Sequence, residues 1–381
     1  MDFVRRTWVE ISIENLKYNY YQTKGLLKKD VKIMAVLKAN AYNCGDVRIA
    51  SELENIDKEI QFAVSNIEEA MGLRNGGIKA PILVLGYTPL ECIKLLLEYD
   101  ITQTLVSYEY ALEIKKTLKN YGHKLKVNIK LDTGMGRIGI VCYNNFYEDS
   151  INKVKEICSC SEFNVTGCYT HISTLYENDE DSLNYSKLQF ERFMKATDLL
   201  FSQGVKLGNL HCLNSAGTAN MSNDMQLDMV RVGTLIYGAL PDVYNHSGVK
   251  FKPIVTIKCR VAKVDIAEEG CFIGYSRAFR AERKTKTAVL TMGYSDILRM
   301  GSGKGYVLIN DTLCPVIGGV CMDQMVADIS NAGEVRAGDT AVVIGRDKNN
   351  EIGFNKAAEF LQCGEEEVYC HITSRPTKVY I

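Results

Sequence analysis

The chain has almost no net charge. Its 45 Lys and Arg oppose 46 Asp and Glu, leaving −1 over 381 residues. That removes the electrostatic case for a nucleic-acid or membrane-surface partner. No apolar run reaches the roughly 18 residues of a membrane helix, and the opening "MDFVRRTWVEIS" lacks a secretory apolar core. There is no low-complexity linker and no internal repeat. Paired cysteines at zinc spacing are missing too: "CSC" at Cys158 and Cys160 has no second pair, so no metal site is expected. The cysteine count is odd, 13, and the thiols are scattered through apolar runs (Cys168, Cys212, Cys259, Cys321). Reduced core thiols in a cytoplasmic protein fit this better than a disulfide framework.

What remains is a long chain of ordinary composition, enough for two domains. Eight β-like runs punctuate the first 240 residues or so: "VKIMAVLK", "IQFAVSN", "PILVLGY", "ITQTLVS", "LKVNIKLD", "NVTGCYTH", "LGNLHCLNS" and "DMVRVGTLIYG". Amphipathic stretches such as "SYEYALEIKKTLKNYG" separate most of them. This alternation predicts a closed parallel (β/α)8 barrel over residues 8–242, with an open doubly wound sheet as the alternative. After Leu240 helical patterns nearly vanish until "FNKAAEFLQ". The β runs "PIVTIKCRVAKV", "KTAVLTMGY", "GYVLIN", "TLCPVIGGV", "TAVVIG" and "VYCHITS" predict a mostly antiparallel second domain, residues 1–7 and 243–381. "RTWVEIS" is strand-like and suited to pair with it. "GSGKGY" near Gly301 reads as a hairpin turn.

Chemistry is expected where barrel strands end. Lys38 closes the first run. Strand parity sets Met34, Val36 and Lys38 on one face and Ile33, Ala35 and Leu37 on the other. An inward first face brings Lys38 to the mouth, partly desolvated, as an amine nucleophile suited to an aldehyde. In "LKVNIKLDTGMGRIG", Leu125, Val127, Ile129 and Leu131 form one face. Lys126, Asn128, Lys130 and Asp132 form the other, inward one. Buried polar groups need partners, and Arg137 is a candidate. Two neighbouring cations repel, so Lys130 needs an anion or a modification, though a satisfied structural network is an equal alternative. "GMGRIG" mimics a dinucleotide fingerprint, but no helix pattern follows, so NAD is not expected. His171 ends the sixth run, able to orient a ring or move a proton. Asn214 and Ser215 can cap a short helix and bind an anion. Arg231, Gly233 and Thr234 end the eighth run, beside the usual phosphate site of such barrels. Amine, phosphate cup and cationic arginine are the three kinds of group that pyridoxal phosphate requires.

Together "VLKANAY", "LDTGMGRIG", "HCLNSA", "VRVGTLIYG" and "VCMDQ" resemble, in order and over nearly the whole chain, the alanine racemase family of fold-type III pyridoxal-phosphate enzymes. The resemblance implies roles. Lys38 would hold pyridoxal 5'-phosphate covalently and serve as one catalytic base. Tyr275, in "FIGYSRAF", would be the second base, lent by the other chain of a homodimer. Arg231 would face the pyridine nitrogen, with His171 behind it. Tyr42, Asn214, Ser215, Gly233 and Thr234 would bind the cofactor, chiefly its phosphate. Arg137 would hold the substrate carboxylate, and Lys130 matches a position carbamylated in many members. Met322 and Asp323 would reach the substrate from the partner, and Tyr294 would line the entrance. The implied activity is interconversion of L- and D-alanine or serine, supplying D-amino acids for peptidoglycan.

Racemisation takes a proton from one face of Cα and returns one to the other, which suits two opposed bases. This chain also departs from the family pattern. Asn43–Cys44 replaces the usual glycine–histidine, and "PVIGGVCMDQ" lacks an arginine. Glu366 in "EEEVYC" stands where a tyrosine is usual, although a one-residue slip would select Glu365. A carboxylate there implies room for a hydroxyl, and is similar to the serine racemases of vancomycin resistance. Those carry an N-terminal membrane domain, so the chain could be an excised cytoplasmic half. The contenders from elsewhere are a non-catalytic pyridoxal-phosphate carrier protein, which lacks the second domain, and a decarboxylase of the same fold type.

Overall fold

The computed structural model describes residues 5–119, 121–177, 179–297 and 305–381. Gly301 of "GSGKGY" lies outside them. Each of the eight early β runs contains a strand: β2 (Lys32–Val36), β3 (Gln61–Val64), β4 (Ile82–Val84), β5 (Thr102–Leu105), β6 (Leu125–Asp132), β8 (Phe163–Tyr169), β9 (Asn209–His211) and β10 (Met229–Val232). They pair in parallel in the order β10-β2-β3-β4-β5-β6-β8-β9, with the short β7 (Ile140–Val141) joined to β6. The seam between β9 and β10 is closed by single bonds. Asp228 N–H donates to Leu210 C=O at 3.1 Å, and Arg231 N–H to Leu213 C=O at 3.0 Å. The result is a nearly closed barrel, not an open sheet.

Alternation decides what each strand faces. Met34, Val36, Ala63, Leu83, Tyr169 and Met229 fill the interior. Ile33, Ala35, Leu37, Val127, Ile129 and Leu131 pack outward beneath the helices. Side-chain caps fix where several helices begin: Ser12 accepts from Asn15 N–H, Asn66 from Glu69 N–H and Ser107 from Tyr110 N–H. Losing one such cap costs about 1 kcal/mol.

The second domain centres on a nine-stranded, mostly antiparallel sheet. Its members are β1 (Thr7–Ile11), β11 (Val255–Ala267), β14 (Thr285–Leu290), β15 (Tyr306–Ile309), β16 (Thr312–Ile317), β17 (Met325–Asp328), β18 (Thr340–Asp347), β19 (Asn350–Ile352) and β20 (Thr377–Tyr380). A separate hairpin joins β12 (Phe272–Ile273) to β13 (Phe279–Arg280). Two expectations need correction. The barrel bound at residue 8 falls too early: residues 8–11 belong to this sheet, as the strand-like "RTWVEIS" suggested, with β1 antiparallel to β11 and parallel to β20. "VYCHITS", expected as a strand, lies largely in the helix Glu365–His371. Three glutamates in that helix's first turn favour it, because carboxylates suit the positive end of the helix dipole.

The two domains meet at the lysine loop. Tyr369 Oη donates to Tyr237 C=O at 2.9 Å, and Tyr237 Oη to Val36 C=O at 2.9 Å. Asn43 Nδ2 donates to Tyr369 C=O at 3.1 Å, and Tyr380 Oη to Cys44 C=O at 3.0 Å. Gly45, at φ +91°, leaves no room for a side chain: a Cβ there would run into Tyr380 Oη. No helix among the described residues is long and apolar enough to cross a membrane.

Candidate active site

Lys38 stands two residues beyond β2, on the inward face, and lines a cavity of about 350 Å³ at the barrel mouth. It is exposed there rather than partly desolvated, because it stands past the strand end at the rim of the cavity. The backbone after it is unusual. Ala39, Asn40, Ala41, Tyr42 and Asn43 all have φ between 52° and 60°, a left-handed turn costing roughly 1–2 kcal/mol per non-glycine residue. Surrounding bonds hold it. Glu69 Oε1 accepts from Ala39 N–H at 2.7 Å, and Asn40 Oδ1 from Asp46 N–H at 2.9 Å. The turn brings the Tyr42 ring to 5.9 Å from Lys38 Nζ and sets the phenol against Gly233, where a Cβ would meet Tyr42 Oη at 2.8 Å.

Below the mouth lies a polar layer. Arg231 is 4 % exposed. Its Nη1 is 2.8 Å from His211 Nδ1, and its Nη2 donates to Thr170 C=O at 2.9 Å and Cys212 C=O at 3.1 Å. Nη2 is also 3.2 Å from His171 Nδ1. Burial, reinforced by Arg231, drives both histidines well below the ordinary imidazole range. Both therefore stay neutral and offer Nδ1 as acceptor to the guanidinium. Tyr169 stacks on His211 with ring centres 4.8 Å apart, and its ring lies 4.9 Å from the Arg231 guanidinium carbon. Asn128 Nδ2 stands 3.3 Å from His211 Nε2, the nitrogen that then carries the ring proton, so this contact adds no acceptor to the chain. No carboxylate among the described residues pairs with this arginine; neutral rings and carbonyls carry it.

Lys130 is 3 % exposed and lines the same cavity with Arg137. Burial, then the Arg137 and Arg231 charges, pull its ammonium down to about 7. No ion pair to Lys130 occurs among the described residues. Asp132, the next inward residue, is committed elsewhere: it accepts the backbone N–H groups of Gly134, Met135 and Gly136 and so shapes the turn leading to Arg137.

Asn214 caps the short helix Ser215–Asn220, accepting from Gly217 N–H at 3.0 Å. Ser215 Oγ accepts from Gly233 N–H at 2.9 Å. Thr234 Oγ1, beside them and near the Tyr176 phenol, is buried without a well-formed hydrogen bond among the described residues. An orphaned buried hydroxyl is costly unless something supplies its bond. With Tyr42, Asn214, Ser215 and Gly233 lining the same cavity, the cup fits an anionic phosphate, and Lys38 and Arg231 fit the rest of the expected cofactor.

Lys38, Tyr42, Lys130, Arg137, His171, Asn214, Ser215, Arg231, Gly233 and Thr234 thus meet in one cavity. Tyr275, Tyr294, Met322, Asp323 and Glu366 do not line it. The first four lie in the second domain and are exposed, Tyr275 at 73 % and Met322 at 53 %. They are neighbours, though. Tyr294 N–H donates to Cys321 C=O and Ser295 N–H to Met322 C=O, each at 3.1 Å. The Tyr275 hairpin packs on the Gly318–Gly319 turn just ahead of them. Asp323 pairs with Arg375 at 2.5 Å. Glu366 is close enough for its charge to help raise the phenols of Tyr42 and Tyr176, after burial, the main cause. Glu365 instead feels Asp242, so Glu366 is the carboxylate beside the cavity.

The family description "Alanine racemase, N-terminal domain" matches residues 11–241, and "Alanine racemase, C-terminal domain" matches 254–380. The chain belongs to the alanine racemase family. It is 36 % identical over 380 residues to an alanine racemase of Clostridium perfringens, covering 99 % of this chain and 96 % of that one. To alanine racemase 1 of Clostridium acetobutylicum it is 35 % identical, with 99 % and 96 % covered. A solved alanine racemase of Clostridium difficile 630 superposes with a TM-score of 0.92 at 30 % identity, over 100 % of this chain and 97 % of that one. The C-terminal match disfavours a carrier protein lacking that domain.

Four residues of this alanine racemase family site escaped the sequence: His211, Tyr169, Tyr176 and Thr104, whose Oγ1 is 3.1 Å from Tyr169 Oη. Parity offered one signal, since Tyr169 shares its strand face with His171. Nothing marked Tyr176, which comes from a loop and lines the cavity.

Proposed function

We propose that this chain is a pyridoxal-phosphate-dependent amino-acid racemase acting on alanine, and on serine as a second substrate. One observation carries the reading: a strand-end lysine, a phosphate cup with a hydroxyl left without a well-formed hydrogen bond among the described residues, and a buried arginine share a single cavity. When bound, pyridoxal phosphate supplies an electron sink for negative charge at Cα. The chain supplies the rest. Tyr42, Ser215, Gly233 and Thr234 fix the phosphate. Arg231 would face the pyridine nitrogen with a proton it does not release, which would keep the sink weak and restrain side reactions. Lys38 takes or gives the Cα proton on one face. Tyr275 of the partner subunit does so on the other, which makes the working unit a homodimer. Arg137 orients the substrate carboxylate. Lys130, whose ammonium is pulled down to about 7, is about half neutral at pH 7, and its neutral amine adds carbon dioxide with loss of a proton to give an anionic carbamate facing Arg137.

Glu366 beside Tyr42 and Tyr176 favours serine as the second substrate, since a site that hydrogen-bonds a hydroxyl gains discrimination that an apolar pocket lacks. Purified protein loaded with cofactor is given L-alanine and L-serine in deuterium oxide and followed by chiral chromatography. Inversion with deuterium at Cα supports the racemase; exchange without inversion, or neither, rejects it. Glu366→Tyr should lower the serine-to-alanine rate ratio, and an unchanged ratio removes Glu366 from serine recognition.

A further inference from the structure

Away from the barrel mouth, the turn between helices Phe354–Leu361 and Glu365–His371 gathers three groups with metal-ligand chemistry. Cys363, Glu367 and His371 follow at four-residue spacing. Glu367 and His371 stand one turn apart on one helix face, and Cys363 precedes the Gly364 cap. A thiol sulfur, a carboxylate oxygen and an imidazole nitrogen, one from each, all lie within 4.8 Å of one another. Ligand bonds to zinc of about 2.0–2.3 Å put tetrahedral donors roughly 3.3–3.8 Å apart, so modest side-chain rotation brings the three together. His371 Nε2 is buried and makes no hydrogen bond among the described residues. No ion pair joins His371 to Glu367 there, so the nearby carboxylate does not account for that nitrogen.

We propose that Cys363, Glu367 and His371 form a site for a zinc-class divalent cation, with a fourth position open to water. Sulfur, nitrogen and one carboxylate suit a borderline-soft ion and not magnesium or calcium, which take oxygen ligands. The site is separate from the racemase cavity, which none of the three residues lines. It is placed to act on it. The same helix carries Glu366, and its Tyr369 grips Tyr237 and Asn43 of the barrel. A bound cation ties the interhelical turn to the far end of this helix and so fixes the element that supports the lysine loop. The pattern C-x3-E-x3-H is not a zinc-finger pair, which is why the sequence alone did not reveal it.

The test uses holoenzyme equilibrated with zinc chloride, freed of loose metal and assayed by elemental analysis. About one zinc per chain is expected. Affinity should fall by more than about tenfold in C363S, H371Q and E367Q. Cobalt(II) in place of zinc should give a thiolate charge-transfer band that C363S lacks. Glu367 is exposed, so E367Q remains informative if either other variant folds poorly, as judged by circular dichroism. The proposal is overturned if the wild type retains no zinc, or if folded variants retain as much as the wild type.

Discussion

Arg231 and Tyr275 are proposed to act on the same bound group, yet one is 4 % and the other 73 % exposed. Arg231 is finished within its own chain, with two imidazoles, two carbonyls and a tyrosine ring around it. Tyr275 sits on a hairpin whose outer side chains, Tyr275 and Phe272, are exposed. The same contrast separates whole regions. The barrel mouth is a packed polar layer on strand ends. The face bearing Tyr275, Tyr294, Met322 and Asp323 is a set of loops braced by backbone bonds and the Arg375–Asp323 pair. On the proposed roles, one region holds a group in place and the other is brought to it by a second copy of the chain.

The sharpest way to break that comparison is to damage each half separately. Lys38→Ala removes the covalent anchor, and Tyr275→Phe removes one proton donor while leaving the cavity intact. Each should lower racemisation by about a thousandfold or more, with cofactor absorbance lost only in the first. Mixed and refolded together, the two variants should regain activity, because one site of the heterodimer keeps both an intact lysine and an intact tyrosine. Failure to regain it, with heterodimer shown by mass, would mean that both bases come from one chain.

The barrel half was legible from the residues alone because inward and outward faces obey a period of two. Met34, Val36 and Lys38, and equally Asn128 and Lys130, fall where alternation puts them. The second half was read only through likeness to a family. Tyr275 and Met322 sit in loops where no periodicity operates, and their function depends on a surface the chain does not itself bury. Tertiary context also overrode local pattern: "VYCHITS" has strand-like residues, but three glutamates and the stacking of Tyr369 on Phe354, with ring centres 4.4 Å apart, favour a helix. His211 was hidden differently, since a histidine inside an apolar run looks the same whether it packs or carries an arginine.

Lys130 sharpens the contrast from the barrel side. Its ammonium is held near 7 in the fold, against an ordinary value of 10.5. Below about pH 7 both folded and unfolded chains are protonated, and the fold bears the full burial penalty. Between 7 and 10.5 the unfolded chain binds more protons, so stability rises with pH. Lys130→Met should therefore stabilise apoprotein by on the order of a few kcal/mol at pH 6, and the gain should fade towards pH 10. Bicarbonate should narrow the gap near pH 8 in the wild type if the amine becomes a carbamate. A gap independent of pH would mean that the amine is not desolvated.

Thr234 probes the cup with a smaller change. Thr234→Val keeps shape and removes the hydroxyl left unsatisfied among the described residues. If the phosphate supplies its partner, cofactor affinity should fall about tenfold, equivalent to roughly 1.4 kcal/mol. Stability of the apoprotein should hold or improve slightly. Equal affinity in equilibrium dialysis would place the phosphate elsewhere.

The smallest effect is expected at the seam between the regions. Tyr369 Oη donates to Tyr237 C=O, but that carbonyl also accepts Ile254 N–H at 3.2 Å. Tyr369→Phe thus removes a bond without leaving a bare acceptor, and should cost about 1 kcal/mol or less. The bond from Asn43 to the Tyr369 carbonyl is untouched, so the lysine loop keeps its anchor and turnover should not change. A lower urea midpoint at constant slope would record the loss. A fall in turnover with unchanged stability would mean instead that the phenol, not the backbone, steadies the loop, and the two regions would then be coupled more tightly than their packing implies.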